Sequence, residues 1–155
     1  MIWHNLTHLD LSNNQVNKID SSIFTLAPNL QYLDLSCNNL GQDFISKDTF
    51  TSKNGSNLVH LDLSNNPKIG RIKYKIRSLV NLKTLLLSNT GIDDLEFLTG
   101  DLVELKLLDC SNCNFSEYQM IERLSVLENL QEVRFFNNSI ECNQYDYWVF
   151  RGQKN

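Results

Sequence analysis

The chain of 155 residues contains little proline, glycine or cysteine, with 2, 6 and 4 residues respectively. This scarcity excludes collagen-like and linker-rich sequences, which depend on proline and glycine. The chain also lacks an excess of basic residues, because it has 14 lysines and arginines, 18 acidic residues and a net charge of −4. Nucleic-acid-binding domains depend on clustered basic residues that release counterions from phosphates. The composition therefore predicts that the chain does not bind nucleic acid.

Long apolar runs are absent as well. No stretch approaches the roughly 18 to 20 apolar residues that cross a bilayer, so membrane insertion of this segment is not expected. The first residues, MIWHNLTHLDLSNN, lack the cationic and apolar regions of a secretory signal. Two interpretations of this start stay open. Either the protein is cytosolic, or the chain is a mature or excised fragment whose signal lies elsewhere.

Residue patterns that would carry catalysis are also missing. The sequence contains three histidines, His4, His8 and His60. It contains no G-x-S-x-G, H-E-x-x-H, P-loop or G-x-G-x-x-G motif. Serines lie near His8 and His60 in the sequence, but no elbow turn or set of oxyanion donors accompanies them. The sequence predicts a protein that is not an enzyme and that uses no cofactor.

One pattern occurs six times along the chain. Each copy has apolar residues at positions 1, 4 and 6, a small polar residue at position 9 and, in most copies, an apolar residue at position 11. The copies begin 24, 28, 24, 23 and 25 residues apart, which is the regular period of a repeat protein. They read LTHLDLSNNQV from Leu6, LQYLDLSCNNL from Leu30, LVHLDLSNNPK from Leu58, LKTLLLSNTGI from Leu82, LKLLDCSNCNF from Leu105 and LQEVRFFNNSI from Leu130.

Each copy predicts a short β-strand. Positions 4 and 6 are apolar and alternate with polar positions 3, 5 and 7, a period of two that buries one face of a strand. A single strand cannot cover its own apolar face, so the copies are expected to stack as parallel neighbours about 4.8 Å apart. An asparagine at position 9 can bond backbone groups of its own and the adjacent turn. That column reads Asn14, Asn38, Asn66, Thr90, Cys113 and Asn138.

The pattern L-x-x-L-x-L-x-x-N-x-L at this period resembles the leucine-rich repeat family, over roughly residues 6–140. Ile19 and Phe24 in the first return segment resemble the typical repeat of animal extracellular proteins such as Toll-like receptor ectodomains. The resemblance implies an α/β fold, a curved right-handed solenoid of about six repeats with a parallel sheet on its concave face. Residues 1–155 would form a single domain, with 141–155 as a C-terminal cap or tail. In this family Cys113 is a familiar replacement for asparagine, whereas Thr90 is less usual.

The segments that return from one strand to the next carry the rest of the predicted core. The fifth return is the best helix candidate, with Ser116 as its cap and with Tyr118, Ile121, Leu124 and Leu127 at helical spacing. The second return is four residues longer than the first and is expected to hold a helical turn or a bulge. Inward-facing residues are predicted at Ile19, Phe24, Phe44, Phe50, Ile72, Ile76 and Leu79.

The two ends of the solenoid need covering. Only Ile2 and Trp3 are available to shield the first repeat, so an open N-terminal edge would make the chain either self-associate or fray. The C-terminal stretch offers an aromatic cluster suited to a lid. This cluster consists of Tyr145, Tyr147, Trp148, Val149 and Phe150.

Positions 2, 3, 5, 7 and 8 are predicted to form columns on the concave surface, where such proteins usually bind partners. Neighbouring carboxylates at Asp10, Asp34 and Asp62 could recruit a basic partner or a cation. The alternative is that L-D-L-S is a common strand sequence in this family and that the aspartates have no specific binding role. Charge reversal at Asp34 and Asp62 is expected to weaken partner capture and to leave thermal unfolding nearly unchanged. The candidate partner-binding residues are Tyr32, Asp34, His60, Asp62, Leu86, Leu107, Arg134 and Phe136.

Two further features of this surface bear on its function. Leu86, Leu107 and Phe136 are apolar at positions where the first three repeats are polar, which indicates either a contact site or a surface beneath the C-terminal lid. His8 and His60 lie two repeats apart, about 9.6 Å, which is too wide for two ligands of one ion. No metal site is predicted.

The cysteines and glycosylation sequons bear on the compartment. Cys110 is expected in the core and Cys113 in the asparagine column, whereas Cys37 and Cys142 lie four repeats apart and cannot pair in a regular solenoid. Residues 139–148, SIECNQYDYW, weakly resemble the start of an extracellular C-terminal cap. Candidate glycosylation sites are Asn5, Asn54, Asn114 and Asn137.

The sequence favours a non-enzymatic recognition module of a receptor-like or secreted protein. Its expected partner is a protein ligand or co-receptor, and an extracellular location is slightly favoured over a cytoplasmic one. A cytosolic scaffold and a purely structural segment of a longer solenoid remain as alternatives.

Overall fold

A computed structural model of the chain describes residues 1–20, 22–44, 50, 57–72, 76, 78–98, 101–116 and 123–141. Within these residues the regular elements are short strands and one short helix. In chain order they are β1 (His8–Asp10), α1 (Ser22–Leu26), β2 (Tyr32–Asp34), β3 (His60–Asp62), β4 (Thr84–Leu86), β5 (Leu107–Asp109) and β6 (Glu132–Arg134).

The six strands form one parallel sheet whose order follows the chain from β1 to β6. Equal positions of successive repeats are paired, as in Leu9 with Leu33 and Leu33 with Leu61. Backbone pairing continues beyond the strands, since the Cys37 N–H donates to the Ser64 carbonyl at 2.9 Å. The sheet confirms the predicted leucine-rich repeat solenoid and the strand at positions 3 to 5 of each copy.

The core lies behind the sheet and is built from positions 1, 4, 6 and 11 together with the returns. The central residues of β2 to β5 are fully buried, whereas Leu9 in β1 and Val133 in β6 are only partly covered. Phe24 and Phe50, from successive returns, lie with their ring centroids 5.3 Å apart. All the inward-facing return residues predicted from the sequence are buried, namely Ile19, Phe24, Phe44, Phe50, Ile72, Ile76 and Leu79.

Helix α1 lies in the first return, where the sequence pattern did not predict a helix. Asp20 starts it, because its Oδ1 accepts the Ser22 N–H at 2.8 Å, the bond of an N-cap residue. In the fifth return, the predicted helix is described only in part, since Tyr118 and Ile121 lie outside the described residues. Residues 123–126 form a 3-10 turn and Leu127 is buried.

The position-9 asparagines Asn38, Asn66 and Asn138 join neighbouring repeats as predicted. Asn66 is fully buried, and its Nδ2 donates to the carbonyls of Leu35 and Leu63 at 3.0 and 2.9 Å. Its Oδ1 accepts the Leu40 N–H at 3.0 Å. One side chain therefore satisfies buried backbone groups of two repeats, which would otherwise lose their hydrogen bonds to water without replacement.

Thr90 and Cys113 interrupt this column. The Thr90 hydroxyl donates to the Leu87 carbonyl of its own repeat at 2.6 Å. The Cys113 Sγ lies 3.2 Å from the same carbonyl and reaches across one repeat to do so. Asn138 restores the full pattern, donating to Cys110 and Phe135 and accepting from Phe115. The Thr90 side chain therefore makes fewer hydrogen bonds to backbone groups of neighbouring repeats than the asparagine side chains do.

A second series of asparagines, which the repeat pattern did not predict, lies just before position 1. Asn29 donates to the His4 carbonyl at 2.8 Å, and Asn57 donates to the Pro28 carbonyl at 2.7 Å. Asn129 makes the equivalent bond to Val103 at 2.7 Å. Each of these three bonds ties the residue before a repeat to the segment that leads into the preceding repeat.

Position 8 adopts a left-handed backbone in every repeat. Asparagine tolerates this conformation better than other non-glycine residues, because its short side chain can bond locally. Cys37, with φ of 53°, occupies the same conformation in the second repeat. The six residues with this backbone, at φ from 51° to 57°, are Asn13, Cys37, Asn65, Asn89, Asn112 and Asn137.

The N-terminal edge of the solenoid is incompletely covered. Ile2 and Trp3 are 49% and 46% exposed, although the Trp3 N–H donates to the Leu26 carbonyl at 2.6 Å. Together with His4, Asn5, Leu6 and Leu9 they line an open cavity of about 660 Å³. The aromatic cluster predicted as a C-terminal lid lies outside the described residues. None of the helices in the described part of the chain is long and apolar enough to cross a membrane.

Candidate functional site

The candidate site is the solvent-facing side of the sheet, the face predicted to be concave, and it is formed by positions 3, 5 and 7. Strand alternation places these side chains opposite the buried leucines, and those at positions 3 and 5 of β2 to β4 are partly exposed. The structure brings the predicted residues onto this one face. Tyr32 and Asp34 lie in β2, His60 and Asp62 in β3, Leu86 in β4, Leu107 in β5, Arg134 in β6, and Phe136 two residues beyond β6.

Three aromatic rings at position 3 form a continuous stack across β1, β2 and β3. The rings of Tyr32 and His60 have centroids 4.3 Å apart and planes inclined by 8°. The His8 ring stacks on Tyr32 from the side of β1, with its centroid 5.5 Å from that of Tyr32 and an interplanar angle of 22°. Parallel strands at about 4.8 Å hold equivalent side chains at the separation at which flat rings stack. The stack ends at β4, where position 3 is Thr84.

The carboxylates at position 5 have a structural role that the sequence reading left open. Oδ1 of Asp34 accepts the Ser36 N–H at 2.8 Å, and Oδ1 of Asp62 accepts the Ser64 N–H at 2.8 Å. These bonds form Asx-turns at the ends of the strands. Charge reversal would remove an acceptor as well as a charge, so the expectation of nearly unchanged unfolding is corrected. Asparagine is the substitution that removes the charge and keeps an acceptor.

The charges of this face differ between its two halves. Arg134 lies 2.6 Å from Glu132 and 3.5 Å from Asp109, so the acidic residues near β6 are paired. Among the described residues, the ion pairs are made by Arg71 and Arg134 and do not involve Asp10, Asp34 or Asp62. The N-terminal half of the face is therefore the more negative half.

Burial changes the titration of the groups around the ring stack. Burial lowers the pKa of His60, and the nearby charges of Asp62 and Asp34 oppose that change. Burial also raises the pKa of Asp62, against hydrogen bonds from Ser64. The pKa of Tyr32 is raised by burial and then by the aspartates around it. Burial therefore favours the neutral form of the His60 imidazole, which limits how far it offsets the neighbouring carboxylates.

The apolar residues of this face are unequally exposed. Leu86 and Leu107 are partly buried, whereas Phe136 is 63% exposed. The preceding residue, Phe135, points inward and meets the Phe115 ring edge-on at 5.3 Å between centroids. Whether the C-terminal stretch lies over Leu86 or Leu107 concerns residues outside the described part of the chain.

The structure gives less support to the other candidate sites, which are metal ligands, cysteines and glycosylation sequons. Within the described residues no three histidines, cysteines or acidic residues group together as metal ligands. Cys110 is fully buried, which raises the pKa of its thiol well above the usual value, and Cys37 is exposed. Asn5, Asn114 and Asn137 are exposed, while Asn54 and Cys142 lie outside the described residues.

Two members of the site are absent from the binding residues predicted from the sequence. His8 completes the ring stack, and Asp10, expected from the sequence only as one of three neighbouring carboxylates, completes the carboxylate column. The signal was present, because position 3 is aromatic or histidine in three consecutive copies and position 5 is aspartate in the same three. Adjacent parallel strands turn such a run into a contiguous column.

Comparison with known proteins agrees with the repeat architecture. The family model described as Leucine rich repeat matches residues 4–52, and the model described as Leucine Rich repeats (2 copies) matches residues 56–100. The zebrafish (Danio rerio) protein transforming growth factor beta activator LRRC33 is 27% identical over 97% of this chain. Bovine (Bos taurus) Toll-like receptor 3 is 28% identical over 70% of this chain.

Among solved structures, the crystal structure of a TLR13–ssRNA13 complex is similar with a TM-score of 0.75 and 31% identity over 89% of this chain. The chain spans only part of these proteins: 29% of the zebrafish protein, 12% of the bovine receptor and 19% of the TLR13 chain. The repeats, the sheet and these similarities together establish that the chain belongs to the leucine-rich repeat family.

Proposed function

We propose that this chain is a non-enzymatic protein-recognition module of a receptor-like or secreted protein, and that it binds a protein partner through the concave strand face. The observation that carries the proposal is the face itself, on which the ring stack and partly exposed charged and apolar side chains stand on a six-stranded parallel sheet. A rigid sheet holds such groups in fixed positions, which lowers the conformational entropy lost on binding.

The relatives support this class of function. The zebrafish relative is named as an activator of transforming growth factor beta, and the bovine relative is a Toll-like receptor. Receptor and recognition proteins of this kind favour an extracellular location for the chain. A cytosolic leucine-rich repeat scaffold is the second candidate, favoured by the free thiols of Cys37, Cys110 and Cys113.

Binding through the concave face can be tested by comparing two matched double variants. Thr84 and Leu107 are paired residues of β4 and β5 on the concave face, so Thr84→Arg with Leu107→Arg places two large side chains there. Val80→Arg with Val103→Arg adds the same charge at two exposed positions on the returns. The 155-residue chain and both variants would be screened against a panel of extracellular protein domains. Loss of capture only with the first pair supports the proposal, whereas loss only with the second overturns it.

The compartment requires a separate measurement. The intact mass of the protein from its native source would be compared before and after reduction and deglycosylation. A glycan on Asn5, Asn54, Asn114 or Asn137, or any disulfide, supports the extracellular assignment. An unmodified mass with four free thiols supports the cytosolic scaffold instead.

A further inference from the structure

The ring stack and the carboxylates form two parallel columns across the same three strands. Position 3 contributes His8, Tyr32 and His60, and position 5 contributes the aspartates of the same strands. The two columns are separated by two residues along each strand, or about 6.6 Å, and their side chains leave the same face of the sheet. They form one surface, which we call the N-terminal face and define by these six residues.

The carboxylate column of this face has no cationic partner among the described residues. Asp34 lies in register with Asp10 on one side and with Asp62 on the other, at the strand spacing of about 4.8 Å. Like charges directly opposite each other on adjacent strands repel. Asp109, at the same position in β5, is paired with Arg134. The N-terminal face thus keeps a repulsion that the C-terminal half of the sheet relieves.

The stacked rings add a rigid, partly apolar surface beside the carboxylates. Stacking fixes Tyr32 between two imidazoles, so its side chain has little rotamer freedom to lose when a partner binds. The exposed ring edges give an apolar surface beside the charges, on which the alkyl stem of a long cationic side chain can pack. A guanidinium fork is suited to two neighbouring carboxylates, because it offers several planar donors, whereas a lysine ammonium acts as a point charge.

We infer that the N-terminal face docks an arginine-containing basic segment of a protein partner. This inference rests on the proposed function and names the chemical class of its partner. The arginine guanidinium pairs with Asp34 and Asp62, and its alkyl stem packs along Tyr32 and His60. RNA is disfavoured as the occupant of this face, since its phosphates would meet three carboxylates that have no cationic partner among the described residues.

The experiment uses the 155-residue chain and three probes, namely fluorescent hexa-arginine, hexa-lysine and a six-nucleotide single-stranded RNA. Binding would be measured by fluorescence anisotropy at about 50 mM and about 300 mM NaCl, because salt screens exposed ion pairs. The test variant is Asp34→Asn with Asp62→Asn, which keeps the Asx-turn acceptors. The matched control is Asp20→Asn with Asp43→Asn. It removes the same charge at two exposed positions on the returns, and Asp20 makes the same kind of bond to a backbone N–H two residues on.

We expect hexa-arginine to bind more tightly than hexa-lysine and to be weakened about tenfold by the test pair. The control pair should change its affinity less than about twofold, as for charges remote from the contact. A second variant, Tyr32→Leu, leaves the turn bonds intact and should weaken binding about fivefold through lost stem packing. Thermal unfolding of each variant checks that the fold is retained.

Three outcomes would overturn the inference: equal weakening by the test and control pairs, tighter binding of RNA than of hexa-arginine, or no binding of hexa-arginine at the lower salt concentration. One of these outcomes can occur while the pair Thr84→Arg and Leu107→Arg still abolishes capture of a protein partner. The proposed function then stands and only the basic-segment inference fails. If partner capture depends instead on the returns, the proposed function fails and the inference fails with it.

Discussion

The rings of Tyr32 and His60 lie face to face, with centroids 4.3 Å apart on adjacent parallel strands. This contact covers His60 on the side of β2, and its Nε2 is buried without a hydrogen-bond partner among the described residues. Burial of the imidazole disfavours protonation and lowers the pKa of His60 from its usual 6.5, although the charges of Asp62 and Asp34 oppose the change. The stacking contact on this face therefore also affects how the stability of the fold depends on pH.

We expect the stability of the chain to fall as the pH falls from 7 through the region just below 6.5. In that range the unfolded state takes up a proton on His60, whereas the folded state resists it until the pH reaches the lowered pKa. Protonation therefore favours unfolding. Thermal unfolding between pH 7.0 and about pH 5.5 would measure the effect, above the range in which aspartates of ordinary pKa titrate. Asp62, whose pKa is raised by burial, opposes the effect where its carboxylate begins to take up a proton in the folded state.

His60→Phe is the variant that tests this assignment. Phenylalanine keeps a ring in the stack and removes the titrating group, so part of the pH dependence should disappear. His4→Phe, at an exposed position near the N-terminus, is the comparison. An unchanged pH profile in His60→Phe would contradict the assignment.

Asn66→Ala should lower the free energy of unfolding by about 3 kcal/mol, because it leaves buried backbone groups of two repeats unsatisfied. Its side chain bonds the carbonyls of Leu35 and Leu63 and the N–H of Leu40. Asn14→Ala is the control, since Asn14 is exposed and its side-chain bonds within the described residues are to the Leu11 and Ser12 carbonyls of its own repeat. Urea unfolding measures both variants, and equal losses would show that the link between repeats contributes little.

Gly91→Ala should lower the free energy of unfolding by about 2 kcal/mol or more, because an added Cβ both meets backbone and strains it. Gly91 has φ of +71°, and a Cβ there would lie 2.6 Å from the Pro67 carbonyl oxygen. At Gly41 the nearest heavy atom to such a Cβ is the Lys68 carbonyl oxygen, at 3.9 Å. Gly41→Ala should therefore leave the denaturation midpoint nearly unchanged. A neutral Gly91→Ala would mean that the loop moves to accept the methyl group.

Asp34→Ala and Asp34→Asn should separate the structural role of this side chain from its charge. Alanine removes the acceptor for the Ser36 N–H and should lower the free energy of unfolding by about 1 kcal/mol, the usual effect of one lost hydrogen bond. Asparagine keeps an acceptor and relieves repulsion from the neighbouring aspartates, so its stability should equal or exceed that of the parent chain. If both variants lost the same stability, the Asx-turn could not be the reason.

Much of the fold followed from the period of the pattern. Leu33, Leu61 and Leu85 recur at one position of successive copies, and a strand with this alternation can cover its apolar side only by stacking on its neighbours. Parallel pairing in register was therefore predictable. Helix α1 was not, because its five residues are too few to show a helical period and only the Asp20 cap marks the start.

The site could be predicted in outline only. The sequence placed Tyr32 and His60 in one column, but two side chains in a column can stack, splay or hydrogen-bond, and the choice depends on side-chain rotamers. Likewise, Asp34 reads as a free carboxylate in the sequence, and its bond to the Ser36 N–H exists only once the chain turns at that point. The bonds of Asn29 to His4 and of Asn57 to Pro28 could not be predicted for the same reason, since the partners are 25 and 29 residues away in the chain.

The sequence by itself determined the repeat, the strand positions, the inward residues such as Phe24 and Phe50, and the columns that share one face. Each of these depends on the alternation of side chains along a strand and on the need to bury apolar surface, and both are readable from residue order. The tertiary structure alone decided which aspartates are paired, how the rings of His8, Tyr32 and His60 contact each other, and where burial shifts a pKa. Those properties depend on distances of a few ångströms between residues of different repeats, which residue order does not specify.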